Sequence, residues 1–164
     1  MKAPDNGAVT AKTLHSLYDS LAAGDGEAMA TCYAPDATFE DPVFSVSGRD
    51  VGDMWRMLTS RGEGELRIAY KVFGDDRVKW TADYVFGGHP VHNVISSRFT
   101  FAPDGRIATQ VDRFDFAKWA AQALGWKGRL LGRFEFFQTA VRRGTAVTLA
   151  GWQQRHDANP TASS

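Results

Sequence analysis

Cysteine occurs once in this chain, at Cys32. No internal disulfide can form, and its apolar neighbours make the thiol a small hydrophobe rather than a nucleophile. A reducing compartment, the cytoplasm, is the expectation. Net charge is absent as well: nineteen Lys and Arg balance nineteen Asp and Glu, so no chain-wide field draws a nucleic acid or an acidic membrane. Nowhere do eighteen apolar residues follow one another, and the opening MKAPDNGAVT has no apolar signal core, so neither a membrane span nor export is expected. There is no phosphate-binding glycine loop, nucleophile elbow or zincin motif. Internal repeats and low-complexity tracts are missing too.

What remains is one domain. With 164 residues, 43% of them hydrophobic, the chain can fill a single core but not two ordinary ones. Its charge is unevenly spread: Lys127, Arg129, Arg133, Arg142, Arg143 and Arg155 face only Glu135 in the C-terminal stretch. That segment reads as a basic appendix on a mildly acidic body.

Leu14, Leu17, Tyr18 and Leu21 recur at helical spacing and Gly24 stops them, which predicts a helix over 9–23. Asp25 caps a second, short helix carrying Met29, Cys32 and Tyr33, which Pro35 ends. ATFED follows as a strand. On it Phe39 and Asp41 share a face and Glu40 takes the other. Val51, Met54, Trp55 and Leu58 predict a helix over 49–59. From Leu66 to Asp115 the period changes to two, giving about four antiparallel strands separated by GDD, GGHP and APDG. Asp115 caps a helix closed by Gly125, and Leu130, Leu131, Phe134, Phe137 and Val141 continue a helical stripe that Gly128, Gly132 and Gly144 weaken. The last residues, DANPTASS, read as frayed. This order of elements is an α+β plan.

AAGD, YAPDATFEDPVF, a Gly-initiated helix containing MW, and FTFAPDGRI running into VDRFD together resemble the nuclear transport factor two-like superfamily, especially its SnoaL-like and ketosteroid-isomerase-like members. The resemblance implies a curved antiparallel sheet wrapped around the N-terminal helices into a cone, a cystatin-like α+β barrel with an apolar pocket. Residues 8–116 would form this cone, and 117–155 a helical extension packed on it. The fold hosts isomerases, cyclases, hydrolases and binding modules alike.

Site residues follow from the same resemblance. Asp41 matches the general base of ketosteroid isomerases, while their first-helix tyrosine aligns with Leu17, one residue from Tyr18, and their second donor with Ser97. Two of three positions depart, which argues against steroid isomerisation as such. SnoaL-like cyclases carry an acid/base aspartate on the last strand, where Asp112 stands, with Gln110 and Phe114 on the same face. Their histidine points to His92, whose parity opposes that of Val91, Ile95 and Phe99, so an unbulged strand would turn it outward. The epoxide-hydrolase pattern needs Arg-x-Asp, and Arg98 is followed two residues on by Thr100.

Each residue has a plainer reading. Asp41 before Pro42 is a common turn pair, Asp112 could pair with Arg113 or Arg98, and Trp55, Trp80, Tyr84, Phe99 and Phe114 could simply fill a core. His89 and His92 form an H-x-x-H without further ligands, so no metal is expected. The basic C-terminal helix reads as a solvated face, its glycines diluting any amphipathic stripe that a membrane surface would use.

The sequence therefore points to a small enzyme without a cofactor, acting by isomerase, cyclase or hydro-lyase type acid/base chemistry on a hydrophobic, carbonyl-bearing or polycyclic molecule. Asp112 and Asp41 are its candidate catalytic groups. Asn93, Ser97, Gln110, Tyr84, Trp55, Phe114 and His92 are its candidate substrate contacts. The alternative is a non-catalytic module that binds a hydrophobic ligand or pairs with a second copy. A homodimer through the outer sheet face, with Arg98, His92 and Thr100 near the interface, is expected; nucleic acid and membrane partners are not.

Overall fold

A computed structural model describes residues 6–159. In chain order its elements are α1 (Asn6–Ala22), α2 (Gly26–Thr31), β1 (Tyr33–Glu40), β2 (Ser45–Ser47), α3 (Arg49–Ser60), β3 (Glu63–Phe73), β4 (Arg77–Phe86), β5 (His89–Phe101), β6 (Ile107–Arg113), α4 (Phe116–Ala123), α5 (Gly125–Leu131) and α6 (Glu135–Asp157). The strands form one curved, unclosed sheet in the order β2-β1-β6-β5-β4-β3. The fold is α+β, as expected.

Local chemistry accounts for most boundaries. Gly24, at φ 69°, ends α1 in a conformation that costs only glycine nothing. The Asp25 carboxylate accepts from the Ala28 N–H at 2.9 Å, and Asp115 accepts from Lys118 N–H at 3.0 Å, so both expected caps satisfy free donors of a first turn. Leu14, Leu17, Tyr18 and Leu21 are buried on the concave side of the sheet, where Tyr18 meets Tyr70, Trp80 and Phe99.

The second helix is shorter than its pattern suggests. It stops at Thr31 because the Cys32 carbonyl is taken by the Ile107 N–H at 2.8 Å, and a six-residue helix has too few bonds of its own to resist. Tyr33 consequently starts a strand. Pro35 lies inside β1, within the stretch where the β1–β6 register shifts between Tyr33 and Thr38, an irregularity that tolerates a residue without an N–H.

The sheet is not wholly antiparallel. β1 runs parallel to β6 while the other pairs are antiparallel, and β2, three residues long, was not foreseen. Along β5 the pairing with β4 continues without a shift from Phe86↔His89 to Arg77↔Arg98. Val91, Asn93, Ile95, Ser97 and Phe99 are buried, and the residues between them are exposed.

The C-terminal stripe is broken in two at Gly132. Phe137 and Val141 pack against the core, but Phe134 is 45% exposed and finds no place in it. α6 lies along α3 and the turn after β1. Gln153 Nε2 donates to Asp50 and Asp53 at 2.7 and 2.9 Å, while Gln138 and Thr145 donate to the carbonyls of Pro42 and Val43. Leu149 and Trp152 are buried, worth roughly 1.5 to 3 kcal/mol each. Asp157 is the last helical residue and pairs with Arg49; Pro160 to Ser164 of the stretch read as frayed lie outside the described residues.

Candidate active site

Parity along β5 and β6 brings Ser97 and Asp112 opposite one another on the concave face. Asp112 is 4% exposed. Its carboxylate accepts from Gln110 Nε2 at 3.0 Å and from the Ser97 hydroxyl. Behind each donor stands another aromatic group. The Ser97 Oγ accepts from Tyr18 Oη at 3.0 Å and from Trp80 Nε1 at 2.8 Å. The Gln110 Oε1 accepts from Tyr33 Oη at 2.5 Å, which accepts in turn from Trp55 Nε1 at 2.8 Å. The result is a buried, directed chain of donors converging on one carboxyl, and such a chain fixes the Gln110 amide and the Ser97 hydroxyl in one orientation each.

Burial dominates the electrostatics. It lifts the Asp112 carboxyl to a pKa of about 7, against the lowering effect of Ser97 and Gln110 and with a further rise from the charge of Asp41. Asp41 rises to about 6, again chiefly through burial, although the N–H groups of Val43 and Phe44 and the charge of Arg142 favour its ionised form. Tyr18 and Tyr33 are pushed well above the ordinary tyrosine value by burial and then by the charge of Asp112. Desolvation penalises the charged form of each acid in the same direction.

Asp41 is both a turn residue and a perturbed carboxyl. One oxygen accepts from Val43 and Phe44 N–H at 2.6 Å each, closing the turn through Pro42, while Glu40 is exposed. The charge of Asp41 also raises Tyr84, whose hydroxyl accepts from Trp119 Nε1 at 2.9 Å. Asp41 thus acts electrostatically on both Tyr84 and Asp112.

The other expected residues divide. Asn93 is buried on the inner face of β5. Trp55 is buried and stands edge-on to Phe39 at 5.5 Å. Phe114 is partly buried, 6.3 Å from the ring of Trp119. Ser97 and Gln110 hold Asp112 rather than open space. His92 does not join them: with no bulge in this part of β5 it faces outward, exposed, with Nδ1 2.6 Å from Asp83. Arg98 and Thr100 are also exposed on the outer face, so the plainer reading of Asp112 as the partner of Arg98 or Arg113 fails as well. Among the described residues, no cluster of His, Cys, Asp and Glu could hold a metal ion.

Tyr33, Tyr18 and Trp80 are the polar members that sequence reasoning missed. The sequence pattern puts Tyr33 on a helix, and Tyr18 falls one residue off the isomerase pattern, although its own stripe with Leu14 and Leu21 turns it inward.

A groove of about 600 Å³ lies on the outer face, lined by Phe73, Arg77, Lys79, Ser96, Arg98 and Arg113 among others. Val78 and Ser97 are also among its lining residues, so it borders the Asp112 network at Ser97.

The curved, unclosed α+β sheet packed on its helices is that of the nuclear transport factor two-like superfamily. Within it, the SnoaL-like domain model matches residues 14–110, and the chain belongs to that family. No curated protein matches the sequence. Solved structures share the fold. One is a proposed isomerase from Bacillus subtilis, 18% identical with a TM-score of 0.61, covering 74% of this chain and 96% of its own. Another is an LEH-like epoxide hydrolase from M. tuberculosis, 20% identical, TM-score 0.57, covering 76% and 92%. A third is a proposed polyketide cyclase from Silicibacter sp., 16% identical, TM-score 0.56, covering 69% and 93%. At these identities the likeness is one of fold. Among the described residues no helix is long and apolar enough to cross a membrane.

Proposed function

We propose that this chain is a SnoaL-like enzyme that moves a proton on a hydrophobic, carbonyl-bearing or polycyclic small molecule, with Asp112 as the base and Asp41 as a second acid or base. One observation carries the reading: a carboxyl 4% exposed, held by directed donors, with its pKa lifted to about 7. Such a group is part protonated near neutrality and can both take and return a proton. Ser97 and Gln110 position the carboxyl, and Tyr33, Tyr18, Trp55 and Trp80 hold those two in turn. Asn93 is the group left to polarise a substrate oxygen, and Tyr84, Trp55 and Phe114 supply apolar contact. The chemistry needs no cofactor beyond these side chains. The epoxide-hydrolase version is disfavoured because Arg98 points away from Asp112.

Residues 8–116 would form the catalytic cone and 117–155 the extension that pins the turn carrying Asp41. The outer sheet face would pair two copies in the cytoplasm, with Arg98, His92 and Thr100 near the contact. A second reading, a non-catalytic ligand-binding or interaction module, draws on a different observation: among the described residues every buried side-chain nitrogen and oxygen has a partner, so the network is complete without a ligand.

Hydrogen–deuterium exchange decides between them. Cyclic ketones from 2-tetralone to steroid enones are incubated with the protein in D2O, and loss of the α-proton signal is followed by NMR. The enzyme reading expects exchange above the buffer rate on at least one ketone, reduced at least about 100-fold by Asp112→Asn with the circular dichroism unchanged. Exchange at the buffer rate for every ketone overturns it.

A further inference from the structure

Helix α5 is packed on α4 through glycine. A Cβ on Gly128 would lie 1.8 Å from the Ala120 carbonyl oxygen, and one on Gly132 would lie 3.1 Å from the Ala120 Cβ and 3.2 Å from the Ala117 Cα. The two backbones therefore touch along the 128–132 edge. At 3.6 residues per turn, Trp126 and Leu130 sit roughly 200° round the helix from Gly128 and Gly132. The glycine edge thereby turns them to solvent, 69% and 57% exposed. Phe134 and Phe136 continue the apolar surface, 45% and 64% exposed, with their rings stacked at 5.6 Å. The glycines that read in the sequence as diluting an amphipathic stripe create one instead, by fixing which side of α5 is covered.

Cations are interleaved with these rings. Lys127 Nζ lies 5.8 Å from the Trp126 ring centre, and the Arg133 guanidinium 5.8 Å from that of Phe134; Arg129 is exposed between them. Among the described residues none of the three is in an ion pair, and Glu135 is the only acid between positions 116 and 144. A second copy of the chain would set this basic surface against its like. A bilayer carrying anionic lipid offers both things the corner lacks, apolar depth for the rings and negative charge for the cations.

We propose that the α5–α6 corner is a peripheral membrane-docking surface, inserting Trp126, Leu130 and Phe136 into the headgroup boundary with Lys127, Arg129 and Arg133 against anionic headgroups. The neutrality of the whole chain conceals it, because the compensating acids lie elsewhere. This inference does not depend on the catalytic reading.

Vesicle flotation of the full chain tests it, with phosphatidylcholine alone and with phosphatidylcholine containing phosphatidylglycerol. The wild type should float with the mixed vesicles. The triple variant Lys127→Gln, Arg129→Gln, Arg133→Gln should lose on the order of 100-fold in partitioning, and Trp126→Ser with Phe136→Ser about tenfold or more. Lys71→Gln with Lys79→Gln, exposed cross-strand neighbours on β3 and β4, should change nothing. Three results would overturn the proposal: no flotation of the wild type, equal loss in the sheet-face variant, or a concentration-dependent self-association that Trp126→Ser abolishes.

Discussion

Replacing Asp112 with Asn should stabilise the protein near pH 8 and destabilise it near pH 4. The carboxyl titrates at about 7 in the folded chain against a reference of 3.8. At 1.36 kcal/mol per unit, its ionisation in the core costs about 4 kcal/mol of stability once the pH exceeds both values. Between those values the folded state holds a proton that the unfolded state has released, so stability falls as pH rises and levels off above about 7. Asn removes that slope. It also offers one oxygen where the carboxylate offers two to Ser97 and Gln110, at a cost of up to about 1 to 3 kcal/mol. The balance is a gain of about 1 to 3 kcal/mol near pH 8 and a loss of similar size near pH 4, where the carboxyl is neutral in the fold and little ionisation cost remains to be relieved. Urea unfolding of both proteins across this range measures it. Asp41 contributes a slope to both proteins, changed in the variant only by the loss of its repulsion with Asp112, so the difference reports chiefly Asp112. Parallel stability curves for wild type and variant would refute the reasoning.

Tyr33→Phe strands Gln110 Oε1 and Trp55 Nε1 without their shared partner, and should cost roughly 2 to 5 kcal/mol in thermal or urea unfolding. Gly128→Ala drives a methyl into the Ala120 carbonyl and should cost at least about 1 kcal/mol despite alanine's better helix propensity, with α5 displaced; an unchanged melt would place α5 off α4. Ending the chain after Gly125 removes Leu149 and Trp152 from the core and should lower the melting temperature or cause aggregation. Light scattering at micromolar concentration should give about twice 18.0 kDa if the outer sheet face pairs two copies; a particle of 18.0 kDa would remove that proposal.

Features set by neighbours in sequence were legible, and those set by distant contacts were not. Asp25 and Asp115 as caps rest on a donor three residues away, and parity along the β5 strand puts Asn93 and Ser97 with Val91, Ile95 and Phe99 and His92 on the other side. For Gln110 and Asp112 parity was ambiguous, because Ile107 and Val111 make the opposite face look equally apolar, and the family resemblance implied their inward face. The end of α2 was misplaced because Ile107, far along the chain, takes the Cys32 carbonyl. That same capture turns Tyr33 into a strand residue and a member of the site. The parallel pairing of β1 with β6 and the short β2 depend on how the sheet is assembled, which the local period does not encode. Gly128 was legible as a weak helix residue, yet its consequence required the position of Ala120. Asp41 fitted two readings: the fold shows the turn through Pro42, and the raised pKa is what supports the proposal of an acid/base role.

The central claim, that Asp112 is a proton-holding carboxyl poised near neutrality, is tested most directly by site-resolved carbon-13 NMR titration of the aspartate carboxyl groups, assigned with Asp112→Asn and Asp41→Asn. The account expects midpoints of about 7 for Asp112 and about 6 for Asp41, with Asp41 still raised in the Asp112→Asn protein because burial rather than mutual repulsion is its first cause. An Asp112 midpoint near the ~3.9 of a free aspartate would contradict it.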